Sequence, residues 1–243
     1  MKRLTSLLLC AALLGGAAPA AKAVKIVRNS AAMEFSYAWP AQAAAIPQLN
    51  RQFRADMDKA WRSAQATVRE EQKLTRQQKR PFNPQFYSKT WSVAGDTPRL
   101  LSLEFDVGEF TGGAHPNSNS GALLWDRSLA RAITPDSLFA RPGGLQAVTR
   151  SVYCKALDAE RLKRREGETL DGEFNECPKY SELSVAPVDS NKDGRFDGID
   201  FVAAAYTAGP YVEGEYAIVV PVSAAIVAAL KPQYRGSFAA QRQ

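Results

Sequence analysis

Histidine is almost missing from this chain: its 243 residues hold one, His115. No two-histidine metal hydrolase site, such as a H-E-x-x-H helix, can be assembled from it. Cysteine is scarce, at three residues, and no C-x-x-C pair occurs. A phosphate-cradling G-x-x-x-x-G-K-[ST] loop and a G-x-S-x-G nucleophile elbow are also absent. Beyond the first two dozen residues no run is apolar enough to span a bilayer, so no membrane span is expected in the mature chain. Long linkers, low-complexity tracts and internal repeats are lacking too.

The N-terminus has the grammar of an export signal. Lys2 and Arg3 precede the apolar run Leu4 to Leu14, and small residues follow through Ala23. That order predicts a signal peptide over residues 1–23, cleaved after Ala20 or Ala23, and a periplasmic or secreted product. Cys10 lies inside the apolar run with no small residue before it, which argues against a lipid anchor. Loss of Lys2, Arg3 and Lys22 lowers the formal charge from +6 to +3. Nucleic acid is therefore not the expected partner. Cys154 and Cys177 remain, an even pair in an oxidising compartment. They are expected to form a disulfide, the alternative being two buried thiols.

Periodicity divides the mature chain into alternating blocks. Met33, Phe35, Tyr37 and Trp39 alternate with smaller or polar residues, as in a half-buried strand ending at Pro40. From Pro47 the period changes, and Ile46, Leu49, Phe53, Met57, Trp61, Ala64 and Val68 form the stripe of a long helix. Its charged end, Arg69 to Arg80, reads as a solvated terminus closed by Pro81 and Pro84. Strands are expected at Phe86–Val93, Arg99–Phe110 and Gly121–Arg127. In the second, Leu101, Leu103, Phe105 and Val107 face one way, and Ser102, Glu104 and Asp106 the other. Thr134-Pro135 reads as a helix start with Thr as cap. A second long helix spans Leu145 to Arg164, with Leu145, Val148, Val152 and Ala156 inward. Strands at Leu183–Val188, Ile199–Tyr206 and Glu215–Val220 precede a short helix at Val222–Leu230. The class is α+β: antiparallel sheets against two long helices and a short C-terminal one. Two subdomains are expected, residues 24–110 and 111–243.

Two loops carry chemistry. Phe110-Thr111-Gly112-Gly113-Ala114-His115-Pro116 presents the lone imidazole on a turn shaped by paired glycines and a proline. His115 has three readings: a base beside Ser118 or Ser120, a ligand contact, or a structural donor within its own loop. The first would make the protein a hydrolase, though no orienting acid or oxyanion site is evident. In Asp189 to Asp197, oxygen-bearing side chains fall at positions 1, 3, 5 and 9 of a twelve-residue calcium loop, with Gly194 at position 6. Asp189, Asn191, Asp193 and Asp197, with the Arg195 carbonyl, are the expected Ca²⁺ ligands, and Asp200 occupies position 12. The flanks read as strands, so the alternative is a polar hairpin in which Asp193-Gly194 supplies the turn.

The run Glu104 to Pro116 (E-F-D-V-G-E-F-T-G-G-A-H-P), then Leu124-Trp125-Asp126, then Ile133 to Phe139 (I-T-P-D-S-L-F), resembles the RsiV/PdaC-type domain family. Tyr206 to Gly214 (Y-T-A-G-P-Y-V-E-G) and Val219 to Ser223 resemble its closing motif. That family forms the extracytoplasmic part of lysozyme-sensing anti-sigma factors and the non-catalytic N-terminal region of a peptidoglycan deacetylase. The resemblance implies an envelope domain of unassigned biochemistry. It points to Thr111, Gly112, Gly113, His115, Tyr206 and Tyr211 as ligand-binding residues. The implied ligand is a cell-wall glycan or a wall-directed, lysozyme-like protein. A sigma-binding segment and a deacetylase domain are not found, and one histidine cannot supply the latter's metal ligands.

Overall fold

The structure is a computed structural model that describes residues 21–170 and 172–241. The expected signal peptide falls almost wholly outside them, as does Cys10. The chain is α+β, with a six-stranded sheet, a three-stranded antiparallel sheet and helices on both.

The first sheet begins with a strand that the sequence analysis did not assign, β1 (Val24–Ser30), paired with β2 (Met33–Trp39). A short turn of helix, α1 (Ala41–Ala44), leads to α2 (Pro47–Gln77), which has Pro47 in its first turn. Strands β3 (Gln85–Asp96), β4 (Leu100–Phe110), β5 (Asn117–Asp126) and β6 (Arg131–Ile133) complete the order β1-β2-β3-β4-β5-β6. Every pair is antiparallel except β2 and β3. That parallel pair needs a crossover, and the 31-residue α2 supplies it. The hydrophobic stripe is as expected: Leu49, Phe53, Met57, Ala64 and Val68 are buried on Phe35, Tyr37, Trp39, Trp91, Leu101, Leu103 and Trp125. The position between residues 110 and 111 falls in the turn joining β4 and β5, which pair from Leu100↔Asp126 to Glu109↔Asn117.

The other face of β4 departs from a half-exposed strand. Leu100 and Ser102 are fully buried, because a second sheet, β7 (Leu183–Val188), β8 (Gly198–Ala203) and β9 (Tyr216–Pro221), lies over this part of the first. The strand's period is right, and its polar face is covered at Ser102 and partly at Glu104, while Asp106 stays exposed. α3 (Gly144–Arg164) closes the second core over Phe201, Ala203, Tyr216 and Ile218. Its buried stripe is Leu145, Thr149, Tyr153, Leu157 and Arg161. Val152, expected inward, is half exposed, whereas Val148 and Ala156 pack at the margin. The helix is rotated because the loop opposite offers carbonyl groups. The buried Arg161 guanidinium donates to the carbonyls of Ala208, Asn175 and Glu176. Cys154 and Cys177 are disulfide-bonded, with Cα atoms 5.5 Å apart.

Two helix starts also differ. Thr134 makes no side-chain cap, and Pro135–Leu138 is a single tight turn. The adjacent Asp136 carboxylate instead accepts from the Gly143 and Leu145 amides and so caps α3. The expected short C-terminal helix is α4 (Ala224–Ala229), capped by the Ser223 hydroxyl, and a further one-turn helix, α5 (Pro232–Arg235), follows it.

Candidate functional site

The β4–β5 turn leans on the loop before β9. Gln85, buried at the start of β3, donates to the Thr111 carbonyl and anchors the turn's base. Gly112 has φ +94°, the left-handed region that a side chain resists, and a Cβ there would sit 3.1 Å from the Glu71 carboxylate. Gly113 faces open space.

His115 is exposed at the tip. Its Nδ1, when it carries the proton, donates to the Pro116 carbonyl over 2.9 Å. The same carbonyl accepts from the Tyr211 hydroxyl at 2.6 Å. The imidazole lies 4.2 Å from the Tyr211 ring, and Tyr211 lies 5.7 Å from the Tyr206 ring, both pairs tilted by 32°. Tyr206 is 62% exposed and has φ +70°, with its amide bonded to the Gly209 carbonyl. Three of the six residues expected to bind a ligand, His115, Tyr206 and Tyr211, meet in this three-ring ladder, and Thr111, Gly112 and Gly113 lie in the turn that carries His115. Val212, 89% exposed, stands next to it.

Neither loop serine is placed as a nucleophile on His115. Among the described residues the imidazole's hydrogen bond is to Pro116, and the Ser120 hydroxyl donates to the Glu215 carboxylate at 2.5 Å.

A group of carboxyls that sequence spacing does not reveal gathers where the second sheet meets the first, with Glu104 and Asp200 partly buried and Asp106 and Glu215 exposed. Glu104 and Asp106 project from β4 towards Asp200 of β8 and Glu215 at the start of β9. Burial pushes Glu104 up to about 7, with help from the charges of Asp200, Asp106 and Glu215. Burial and Glu215 also raise Asp200 and Asp106. Glu104 Oε1 and Asp200 Oδ1 are buried without a hydrogen-bond partner. A proton on Glu104 would give that pair a donor. The E-F-D alternation in β4 was visible, but nothing local said what would cover it.

Asp200 therefore points away from the 189–197 loop. Within that loop the oxygens meet backbone amides. Asp189 accepts from Asp193 and Gly194, Asn191 from Asp193, and Asp193 from Arg195. Asp197, 3% exposed, accepts from the Ser190 amide and hydroxyl. Among the described residues no group of three or more His, Cys, Asp or Glu is placed to hold a metal ion. No helix among them is long and apolar enough to cross a membrane.

This architecture, a six-stranded sheet with a long crossover helix and a second, three-stranded sheet, is found in solved structures. A DUF3298 family protein from Pseudomonas aeruginosa PAO1 superposes with a TM-score of 0.59 at 13% identity, covering 91% of this chain and 98% of that one. A member of the same family from Bacteroides fragilis NCTC 9343 gives 0.56 at 16% identity, covering 90% and 97%. At these identities the likeness is one of fold. Residues 26–118 match the family described as deacetylase PdaC, so the resemblance read from the sequence holds over β1 to the His115 turn. No curated protein matches the chain.

Proposed function

We propose that the chain is an exported, non-enzymatic binding domain whose ligand is a cell-wall glycan or a lysozyme-like, wall-directed protein. The observation that carries this reading is the exposed ladder of His115, Tyr211 and Tyr206. Aromatic rings held rigidly at a surface bring large contact area at little entropic cost, with an apolar face and a polar tip. The two hydrogen bonds to the Pro116 carbonyl hold the ladder before any ligand arrives. Export is supported by the N-terminal pattern and by the Cys154–Cys177 bond, which persists in oxidising compartments.

The mature chain should be retained by insoluble peptidoglycan or by immobilised lysozyme. Tyr211→Ala should weaken that retention by about thirtyfold, the scale of a truncated aromatic hot spot. Absence of retention on both supports would end this reading. The rival, a hydrolase using His115 with a loop serine, wins if His115→Ala abolishes turnover of a wall-derived substrate at an unchanged Tm.

Calcium at Asp189, Asn191, Asp193, the Arg195 carbonyl and Asp197 is a second proposal, supported by the loop spacing. A bound cation would have to displace the loop's own amide bonds from those oxygens. Stability should rise by about 2.7 kcal/mol at calcium a hundredfold above the dissociation constant, and Asp193→Ala should erase the gain. Equal Tm in calcium and in chelator would leave the loop a hairpin turn.

A further inference from the structure

The first sheet has an edge that the chain starts to cover and then abandons. β6 pairs only with Leu124, Trp125 and Asp126 of β5. Thr134-Pro135 then turns the chain away into the tight turn before α3. From Asn117 to Leu123, among the described residues, β5 is paired on its β4 side alone. An open groove of about 700 Å³ runs beside Ser120, Gly121 and Ala122 of this stretch. Its walls include Ser120 and Ala122 of β5, Gln146 near the start of α3, and Glu182 and Val185 at the beginning of the second sheet.

Open edges are usually blunted by lysine, proline or a bulge, since alternate N–H and C=O groups would otherwise recruit another strand. This edge reads Asn117-Ser118-Asn119-Ser120-Gly121-Ala122-Leu123, with no charge and no proline. The pairing of β5 with β4 is regular throughout. Ala122 is small, and the Phe105 ring packs over Gly121, so no bulky side chain rises from these two positions. The charged residues lining the groove are Asp136 and Glu182, both acidic. Glu215 lies next to it on the Ser120 hydroxyl, and Asp106 pairs across from Ser120 on β4.

We propose that this edge takes an extended basic peptide segment, which adds a strand to β5 in line with β6. Main-chain hydrogen bonds to the open edge would supply affinity, and the acidic rim would select lysine- or arginine-bearing segments. At about 3.3 Å per residue the open stretch holds a segment of about seven residues. The edge begins one residue after Pro116, but the groove's lining does not include His115, Tyr206 or Tyr211, so the two proposals are tested separately.

The probe is a blocked peptide of about eight alternating lysine and valine residues, a strand-forming pattern, titrated into the isotope-labelled mature chain. Amide shifts should concentrate at residues 117–123, with slowed hydrogen exchange there. Backbone N-methylation along one edge of the peptide should abolish binding, and along the other edge should not. Gln146→Lys, on an exposed helix position, should weaken binding by about fivefold without changing Tm, and Tyr211→Ala should leave it intact. Three results would overturn the proposal: no shifts at about millimolar peptide, the weak limit of specific binding; equal binding of a glutamate–valine peptide; or sedimentation showing the edge occupied by a second copy of the chain.

Discussion

Asp126→Ala is expected to cost about 3–5 kcal/mol, the scale for breaking a buried ion pair. For a domain of this size that lowers Tm by about 6–20 °C. The Asp126 side chain has no solvent exposure. One oxygen accepts from the Ser128 and Leu129 amides, and the other from Arg99 and the Tyr234 hydroxyl. Burial alone would raise its pKa, but the Leu129 amide, Tyr234 and Arg99 outweigh burial and hold it below the usual carboxylate range. Its contribution is therefore present at neutral pH and is lost as pH falls through that depressed value. Because Asp126 ties the end of β5 to α5, its removal strips a carboxylate from a hydroxyl and a guanidinium at the junction of the two cores. Asp126→Asn keeps the shape and most acceptors, so it should lose less. A Tm for Asp126→Ala within about 2 °C of the parent, the range of neutral surface changes, would show that these bonds contribute nothing net.

Stability should also fall as pH rises from about 4.5 to about 7, and Glu104 is the reason. An unfolded glutamate titrates near 4.3, whereas the folded chain pushes Glu104 up to about 7. Between those values the folded state binds more protons, so stability declines with rising pH. Above about 7 the full cost is present, about 1–2 kcal/mol after allowance for partial exposure. The groups facing Glu104 are Asp200 from β8, Asp106 from its own strand and Glu215 from the start of β9, all acids. Glu104→Gln keeps the shape and removes the charge. It should raise Tm by about 2–6 °C at about pH 8 and flatten the profile below 7. Asp126 opposes this trend only in stronger acid, so the two can be separated by thermal melts across the range. A Glu104→Gln profile that overlays the parent would place the proton elsewhere in the group.

Much of the first core was legible because α2 and β2 each present an unbroken period. Leu49, Phe53, Met57 and Val68 recur at helical spacing and Met33 to Trp39 at strand spacing, and nothing in their surroundings overrides either. α3 was harder. Its apolar residues at 145, 148, 152 and 156 suggest one face, but Arg161 and Tyr153 are buried and Val152 is not. A buried arginine becomes acceptable only when loop carbonyls from distant positions reach it, and sequence spacing does not announce that. The ladder was partly visible, since Thr111 to Pro116, Tyr206 and Tyr211 stood out separately, yet their stacking depends on two loops nearly a hundred residues apart meeting at the Pro116 carbonyl.

By itself the sequence determined most of the element types, though not β1 or β6, together with the cysteine pair, the tight T-G-G-A-H-P turn and the exclusion of two-histidine metal chemistry. These follow from local periods, backbone sterics and residue counts, none of which needs a partner in space. The tertiary structure alone decided that β2 and β3 run parallel and that Ser102 and Glu104 on the polar face of β4 lie under a second sheet. It alone decided that Glu104 and Asp200 are partly buried together beside the exposed Asp106 and Glu215, and that β6 stops short along β5. Each is a matter of which surfaces meet at long range, where one sheet's placement sets the burial, and hence the charge and hydrogen bonding, of residues on another.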